Sequence, residues 1–146
     1  MSKVLVIEAD PFLSKFYAVK LKKLKHEVDV ALNGEEALRK LKLDHYDGVL
    51  MGLILPYRDG FELLRDMNRM RKKHTVKVIA TELQDEESVQ KAFKLGASAY
   101  FIKSNSQIYE IIEALQALLH GKALPEHHGI TLKPKKRVKK AKRAKK

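Results

Sequence analysis

Five short apolar stretches recur along the first 120 residues, and a helical pattern of apolar positions follows each one. That alternation limits the fold more than any other property of the chain. A run of four or five apolar residues without polar alternation is buried on both faces. Such strands, separated by helices, form a parallel sheet with helices packed on either side. Right-handed crossovers in an open sheet then give a doubly wound α/β domain.

The elements can be placed in turn. Residues 4–7 predict the first strand, and Asp10-Pro11 opens a helix, with Asp10 able to cap and Pro11 suited to the first helical position. Phe12, Phe16 and Val19 line one face of that helix. Residues 28–31 predict a second strand. Asn33 with Glu36 forms a capping pattern before Ala37, Leu38 and Leu41. Residues 49–51 predict a third strand, followed by Asp59 and Glu62 at the start of a helix with Phe61, Leu64 and Met67. Residues 76–80 predict a fourth strand, less apolar because of Lys77. Asp85 then starts a helix with Val89, Ala92 and Phe93, closed by Gly96. Residues 100–102 predict the fifth strand, and Ser104 and Gln107 lead a helix with Ile108, Ile111, Ile112, Leu115 and Leu119.

Charge divides the 146 residues into two parts. Residues 133–146 hold ten Lys or Arg and no acid: Lys133, Lys135, Lys136, Arg137, Lys139, Lys140, Lys142, Arg143, Lys145 and Lys146. Of the chain's 30 basic side chains, 20 therefore remain in the body against 18 acids, a net of +2 beside +12 for the whole. A segment this charged and this poor in apolar groups is expected to be disordered when free. Gly and Pro near residues 121–129 break the last helix, so residues 1–121 read as the domain and 122–146 as linker and tail. The tail attracts polyanions such as nucleic acid without sequence specificity, because it has no aromatic residue for base stacking. His127-His128 reads as a solvated pair rather than a metal site.

The absence of cysteine fits a reducing cytosol and leaves no thiol chemistry. The N-terminus is too short in apolar length for a signal peptide or membrane span, so a cytoplasmic location is expected, nucleoid-associated where the tail binds DNA. In a doubly wound fold, function sits beyond the carboxyl ends of the strands. That directs attention to residues 8–10, 52–60, 81–84 and 103–105.

At these loops the sequence resembles the receiver domain of bacterial response regulators, the CheY-like superfamily. The matching stretches are KVLVIEADPFL, YDGVLMGLILPYRDGFELLR, VIATELQDEES and LGASAYFIKS, in order and at the right spacing over residues 3–120. The resemblance implies a flavodoxin-like fold with strand order 2-1-3-4-5 and no enzyme of its own. It implies an aspartate after the third strand that accepts a phosphoryl group from a histidine kinase. A pair of acids after the first strand would bind Mg²⁺, and a Ser/Thr and a Lys would contact the phosphoryl oxygens. An aromatic in strand five changes rotamer with activation.

Carried over residue by residue, the match is partial. The acceptor position is Gly52, which has no side chain to attack with. The acidic pair falls on Glu8 and Ala9, so the Mg²⁺ site is expected to be lost. Asp10 matches a third acid but is better placed to cap the helix. Thr81 takes the hydroxyl position, Tyr100 the aromatic and Lys103 the lysine, with Ser104 where the family has proline. Neither Asp47, at the opposite end of its strand, nor Asp59, past the turn, substitutes for the nucleophile. Without a phosphoryl group, Lys103 is expected to pair with Glu8 or Asp10, and Thr81 to satisfy loop backbone.

The expected function is a phosphorylation-independent signalling and interaction module. Its partner surface, for another protein or a homodimer, is implied by the resemblance at residues 85–119. Two alternatives stand beside it: a working phosphorelay receiver with an acceptor elsewhere, and a small nucleoid-associated DNA-binding protein.

Overall fold

A computed structural model of the chain describes residues 2–124 and 131–132. Strands β1 (Lys3–Ile7), β2 (Glu27–Ala31), β3 (Gly48–Met51), β4 (Val76–Thr81) and β5 (Ala99–Ile102) form a parallel sheet in the order 2-1-3-4-5. Helices α1 (Pro11–Lys23), α2 (Gly34–Leu43), α3 (Gly60–Arg69), α4 (Glu86–Lys94) and α5 (Ile108–Leu119) complete the five βα units. Each predicted element is present, with boundaries moved by a few residues.

Side chains along every strand alternate between two cores. Leu5, Ile7, Val49, Met51, Ile79 and Tyr100 meet α2, α3 and α4 on one side. Val4, Val6, Leu50, Val78 and Phe101 meet α1 and α5 on the other. Continuous apolar runs are required because both faces are covered.

Capping sets where the helices start. The Asp10 carboxylate accepts hydrogen bonds from Phe12 N and Leu13 N, and Asn33 accepts from Glu36 N. Asp59 and Glu62 form a reciprocal capping box at α3. Gly96 closes α4 at φ +109°, a conformation that favours glycine.

Three features depart from the sequence reading. Phe12, Phe16 and Val19 do share a face of α1, but it points to solvent, and Ser14, Tyr17, Ala18 and Leu21 pack on the sheet instead. Both sets fit a 3.6-residue period. Lys77 is buried, its Nζ donating to the Lys72 and Thr75 carbonyls at 2.8 and 3.0 Å, and burial pulls its pKa below the ordinary lysine range. Finally, the segment beyond residue 121 is not wholly without structure: β6 (Thr131–Leu132) lies antiparallel on the outer edge of β5, adding a sixth strand. An edge strand offers unpaired backbone groups, which any extended segment within reach can satisfy. The basic residues 133–146 and His127-His128 lie outside the described residues.

Candidate functional site

The parallel register brings the strand ends together. Ile7 and Met51 are partners across β1 and β3, so Glu8 and Gly52 emerge side by side. Gly52 N–H donates to the Ile7 carbonyl at 2.9 Å, extending that ladder by one bond. Thr81 ends β4 opposite Ile102 of β5, which delivers Lys103 to the same edge. Glu8, Gly52, Thr81, Glu82 and Lys103 line one cavity of about 220 Å³.

Glu8 organises this cavity. It is 6% exposed, and a buried carboxylate needs partners for its charge. Lys103 Nζ donates to Oε1 at 3.0 Å, and the Asp10 backbone N–H donates to Oε2 at 3.0 Å. The pair spans the sheet from β1 to β5, while Asp10's own side chain is occupied at the α1 cap. Of the two partners expected for Lys103, the structure selects Glu8. Lys103 begins a single 3₁₀ turn, Lys103–Asn105, that contains Ser104.

Gly52 is not a glycine by necessity. A Cβ built there would come no closer than 3.6 Å to Leu55 Cδ2 and 3.7 Å to the Ala80 carbonyl oxygen, which is ordinary contact. Its φ lies outside the left-handed region, where only Gly96 and Gly121 are found among the described glycines. Nothing in the backbone therefore requires glycine at this position. Ala9, next to Glu8, is half-buried and carries no donor atom for a cation.

Thr81 and Tyr100 are both committed to the loop after β4. The Thr81 hydroxyl oxygen accepts from Leu83 N–H at 3.3 Å. Tyr100 is fully buried, and its hydroxyl donates to the Leu83 carbonyl at 2.9 Å rather than reaching water. Burial, with a smaller contribution from the charge of Asp85, pushes its pKa up to about 12. Asp59 is held at the α3 cap, and Asp47 accepts from Lys3 N at the far end of β3. Neither faces the cavity.

Glu82, inside the 81–84 segment but given no role from sequence, is an exposed acid on the cavity wall. The signal was available, because Glu82 follows directly on Thr81 at a strand's carboxyl end. The cavity therefore carries two acids and one lysine. Among the described residues no cluster of three or more His, Cys, Asp or Glu is placed to hold a metal ion.

Residues 4–116 match the response regulator receiver domain. The chain belongs to that family. Among curated receiver-containing proteins it is 28% identical over 119 residues to the response regulator ArlR of Staphylococcus saprophyticus, covering 82% of this chain and 53% of that protein. It is 29% identical over 118 residues to the transcriptional regulatory protein ResD of Bacillus subtilis, covering 81% and 48%. The chain thus spans about half the length of the curated relatives it matches. The receiver domain of a Francisella response regulator superposes with a TM-score of 0.76 at 26% identity, covering 83% of this chain and 98% of that one. A CheY-like receiver from Methanospirillum hungatei, at 22% identity and a TM-score of 0.77, shares the fold, covering 83% and 95%.

Proposed function

We propose that this receiver works without phosphorylation, as an interaction module whose state is set by its partners. The observation that carries the reading is the Glu8–Lys103 ion pair at 3.0 Å beside a glycine with room for a side chain. Phosphoryl transfer needs an in-line nucleophile and cations to neutralise charge on the oxygens. Gly52 supplies no nucleophile, and the cation Lys103 is already neutralised by Glu8.

The same residues do not fit the Mg²⁺ of a working receiver. Mg²⁺ takes one or two protein carboxylates with water and phosphate oxygens in near-ideal octahedral geometry. Glu8 has both oxygens engaged, Ala9 has none, and Glu82, also lining the cavity, is exposed. The ammonium of Lys103 supplies the positive charge that Glu8 requires.

Receiver domains signal by contacting other proteins and by dimerising. The surface from α4 to α5, residues 85–119, is proposed for this role, on the helix faces flanking β5, because β6 covers the strand's outer edge. Residues 1–121 form the interaction unit in this reading, and 122–146 a linker and tail. The ten cations of the tail support non-specific binding to nucleic acid. If about six to eight phosphates are neutralised on duplex DNA, log K falls with log salt at a slope of about −5 to −7. No helix among the described residues is long and apolar enough to cross a membrane.

Mg²⁺ titration by calorimetry tests the proposal. The native chain and Gly52→Asp alone are expected to show no saturable binding, and Gly52→Asp with Ala9→Asp is expected to recover it. Saturable binding by the native chain at millimolar Mg²⁺ would overturn the reading.

A further inference from the structure

The amino edge of the sheet, opposite the cavity, is divided by charge. At β1, β2 and β3 its cations are matched: Lys3 pairs with Glu27 at 3.7 Å and with Asp44 at 2.6 Å, and His45 with Asp47 at 3.4 Å. At β4 and β5 they are not. No acid occurs between Asp66 and Glu82, or between Glu87 and Glu110. The loop joining α3 to β4 carries Arg71, Lys72 and Lys73, and α4 ends on Lys94. Arg71, Lys73 and Lys94 are exposed and Lys72 is half-buried. Among the described residues no ion pair engages any of the four. Helix C-termini attract cations, which accounts for Arg69 and Lys94 in the last turns of α3 and α4. It does not account for Arg71, Lys72 and Lys73, which lie beyond the end of α3.

The loops before β4 and β5 are tied into one surface. Lys77 N–H donates to Ser98 Oγ at 3.0 Å, Ser98 N–H donates to the Lys77 carbonyl at 2.7 Å, and Asn68 Nδ2 donates to the Leu95 carbonyl at 3.1 Å. The buried Lys77 Nζ holds the first loop by its Lys72 and Thr75 carbonyls, and the Thr75 hydroxyl donates to the Tyr46 carbonyl at 3.0 Å. A loop fixed in this way presents its cations without first having to be ordered, which lowers the entropic cost of binding. Charge and composition identify the occupant. Strand β6 runs antiparallel to β5, from Thr131 beside Phe101 to Leu132 beside Tyr100, and so heads for this edge. The next residue in the chain is Lys133, the first of the ten cations. Residues 70–75 and 95–98 include no Phe, Tyr or Trp, so they offer no platform for the bases of a single strand. None of the large exposed hydrophobic side chains belongs to these loops, so a bilayer finds no apolar anchor. A duplex backbone, bound through phosphate charge alone, needs neither.

We infer that this amino edge is the folded domain's part of a duplex nucleic-acid site. Arg71, Lys72, Lys73 and Lys94 contact backbone phosphates, and the tail extends the contacts beyond Leu132. The inference deepens the reading of the chain as a nucleic-acid binder and rests on it.

The test measures binding of the full chain to a DNA duplex of about 20 base pairs, two helical turns, by fluorescence anisotropy over a salt series. R71Q/K72Q/K73Q is expected to weaken binding at least about tenfold and to make the slope of log K against log salt shallower by about 2–3. K73E/K94E, which draws on both loops, is expected to weaken it to a similar degree. K15Q/K20Q/R39Q removes the same net charge from exposed positions on α1 and α2 and should change the slope by less than about 1. An equal loss in that control would reduce the effect to net charge and overturn the inference. The tail variant K139Q/K140Q/K142Q/R143Q separates the inference from the reading beneath it. Affinity and slope lost in the tail variant but kept in both edge variants would leave the tail as the whole site and overturn the edge alone. No salt-dependent binding by the native chain would defeat the shared reading and the inference with it. Co-sedimentation with phosphatidylglycerol vesicles that is lost in both edge variants, with duplex binding unchanged, would give the edge to lipid and likewise overturn the inference.

Discussion

The loop joining β3 to α3 begins on Gly52 and leads into Gly60, the first residue of α3, and the two positions are glycine for different reasons. At its end, a Cβ on Gly60 would lie 2.4 Å from the Gly52 carbonyl oxygen and 2.7 Å from Leu53 Cα, so the backbone permits no side chain. At its start, a Cβ on Gly52 would sit 3.6 Å or more from its nearest neighbours. The fold dictates Gly60 and is indifferent to Gly52. What the sequence has kept in this loop is the scaffold, down to the close approach that seats α3. What it lacks, in the reading proposed above, is a carboxylate at Gly52, a position where the scaffold has space for a side chain.

The sharpest way to break the comparison is Gly60→Ala. Contacts below 3 Å to backbone atoms cannot be relieved by a rotamer change, so destabilisation of about 3 kcal/mol or more is expected by urea denaturation. A variant that unfolds at the native midpoint would show the loop to be more pliable than the distances imply. Next in size is Lys103→Ala, which strips the buried Glu8 carboxylate of its cation and leaves it the Asp10 N–H. A loss of about 1–3 kcal/mol is expected. Combining it with Glu8→Gln should restore part of the loss, and failure to do so would mean that the pair is not what steadies the cavity.

Smaller still is Asp10→Ala, which removes the α1 cap and should cost about 1 kcal/mol, read from the same titration. It separates the capping role of Asp10 from a role in the cavity, because Lys103 still has Glu8 in this variant. Last comes Gly52→Ala. The new methyl fits in ordinary contact and restricts the unfolded chain, so the variant should match the native protein or gain up to about 1 kcal/mol. A loss of Gly60→Ala size at this position would erase the contrast between the two ends of the loop.

Much of this was legible in the sequence, for physical reasons that differ by element. Strands buried on both faces must be continuously apolar, so β1 and β3 announce themselves. Asp10, Asn33, Asp59 and Asp85 mark helix starts because each orphan N–H needs an acceptor within a few residues. Charge balance at the carboxyl edge called for a carboxylate beside Lys103, either Glu8 or Asp10, and the structure selects Glu8 because the Asp10 side chain caps α1. The orientation of α1 did not follow, since Phe12–Phe16–Val19 and Tyr17–Ala18–Leu21 obey the same period and only packing chooses between them. Nor did β6, whose two residues carry no periodic signal and are defined by the free edge of β5. Glu82 escaped because its relevance depends on the direction the chain takes after Thr81. Lys77 escaped because a lysine inside a strand pattern reads as exposed until the Lys72 and Thr75 carbonyls are seen around it.

The central claim is that this receiver cannot be charged by phosphate, and intact mass after incubation with acetyl phosphate and Mg²⁺ tests it most directly. The native protein should keep its unmodified mass, whereas Gly52→Asp with Ala9→Asp should gain about 80 Da. A stable gain of that size in the native protein, mapped to any residue lining the cavity, would contradict the account.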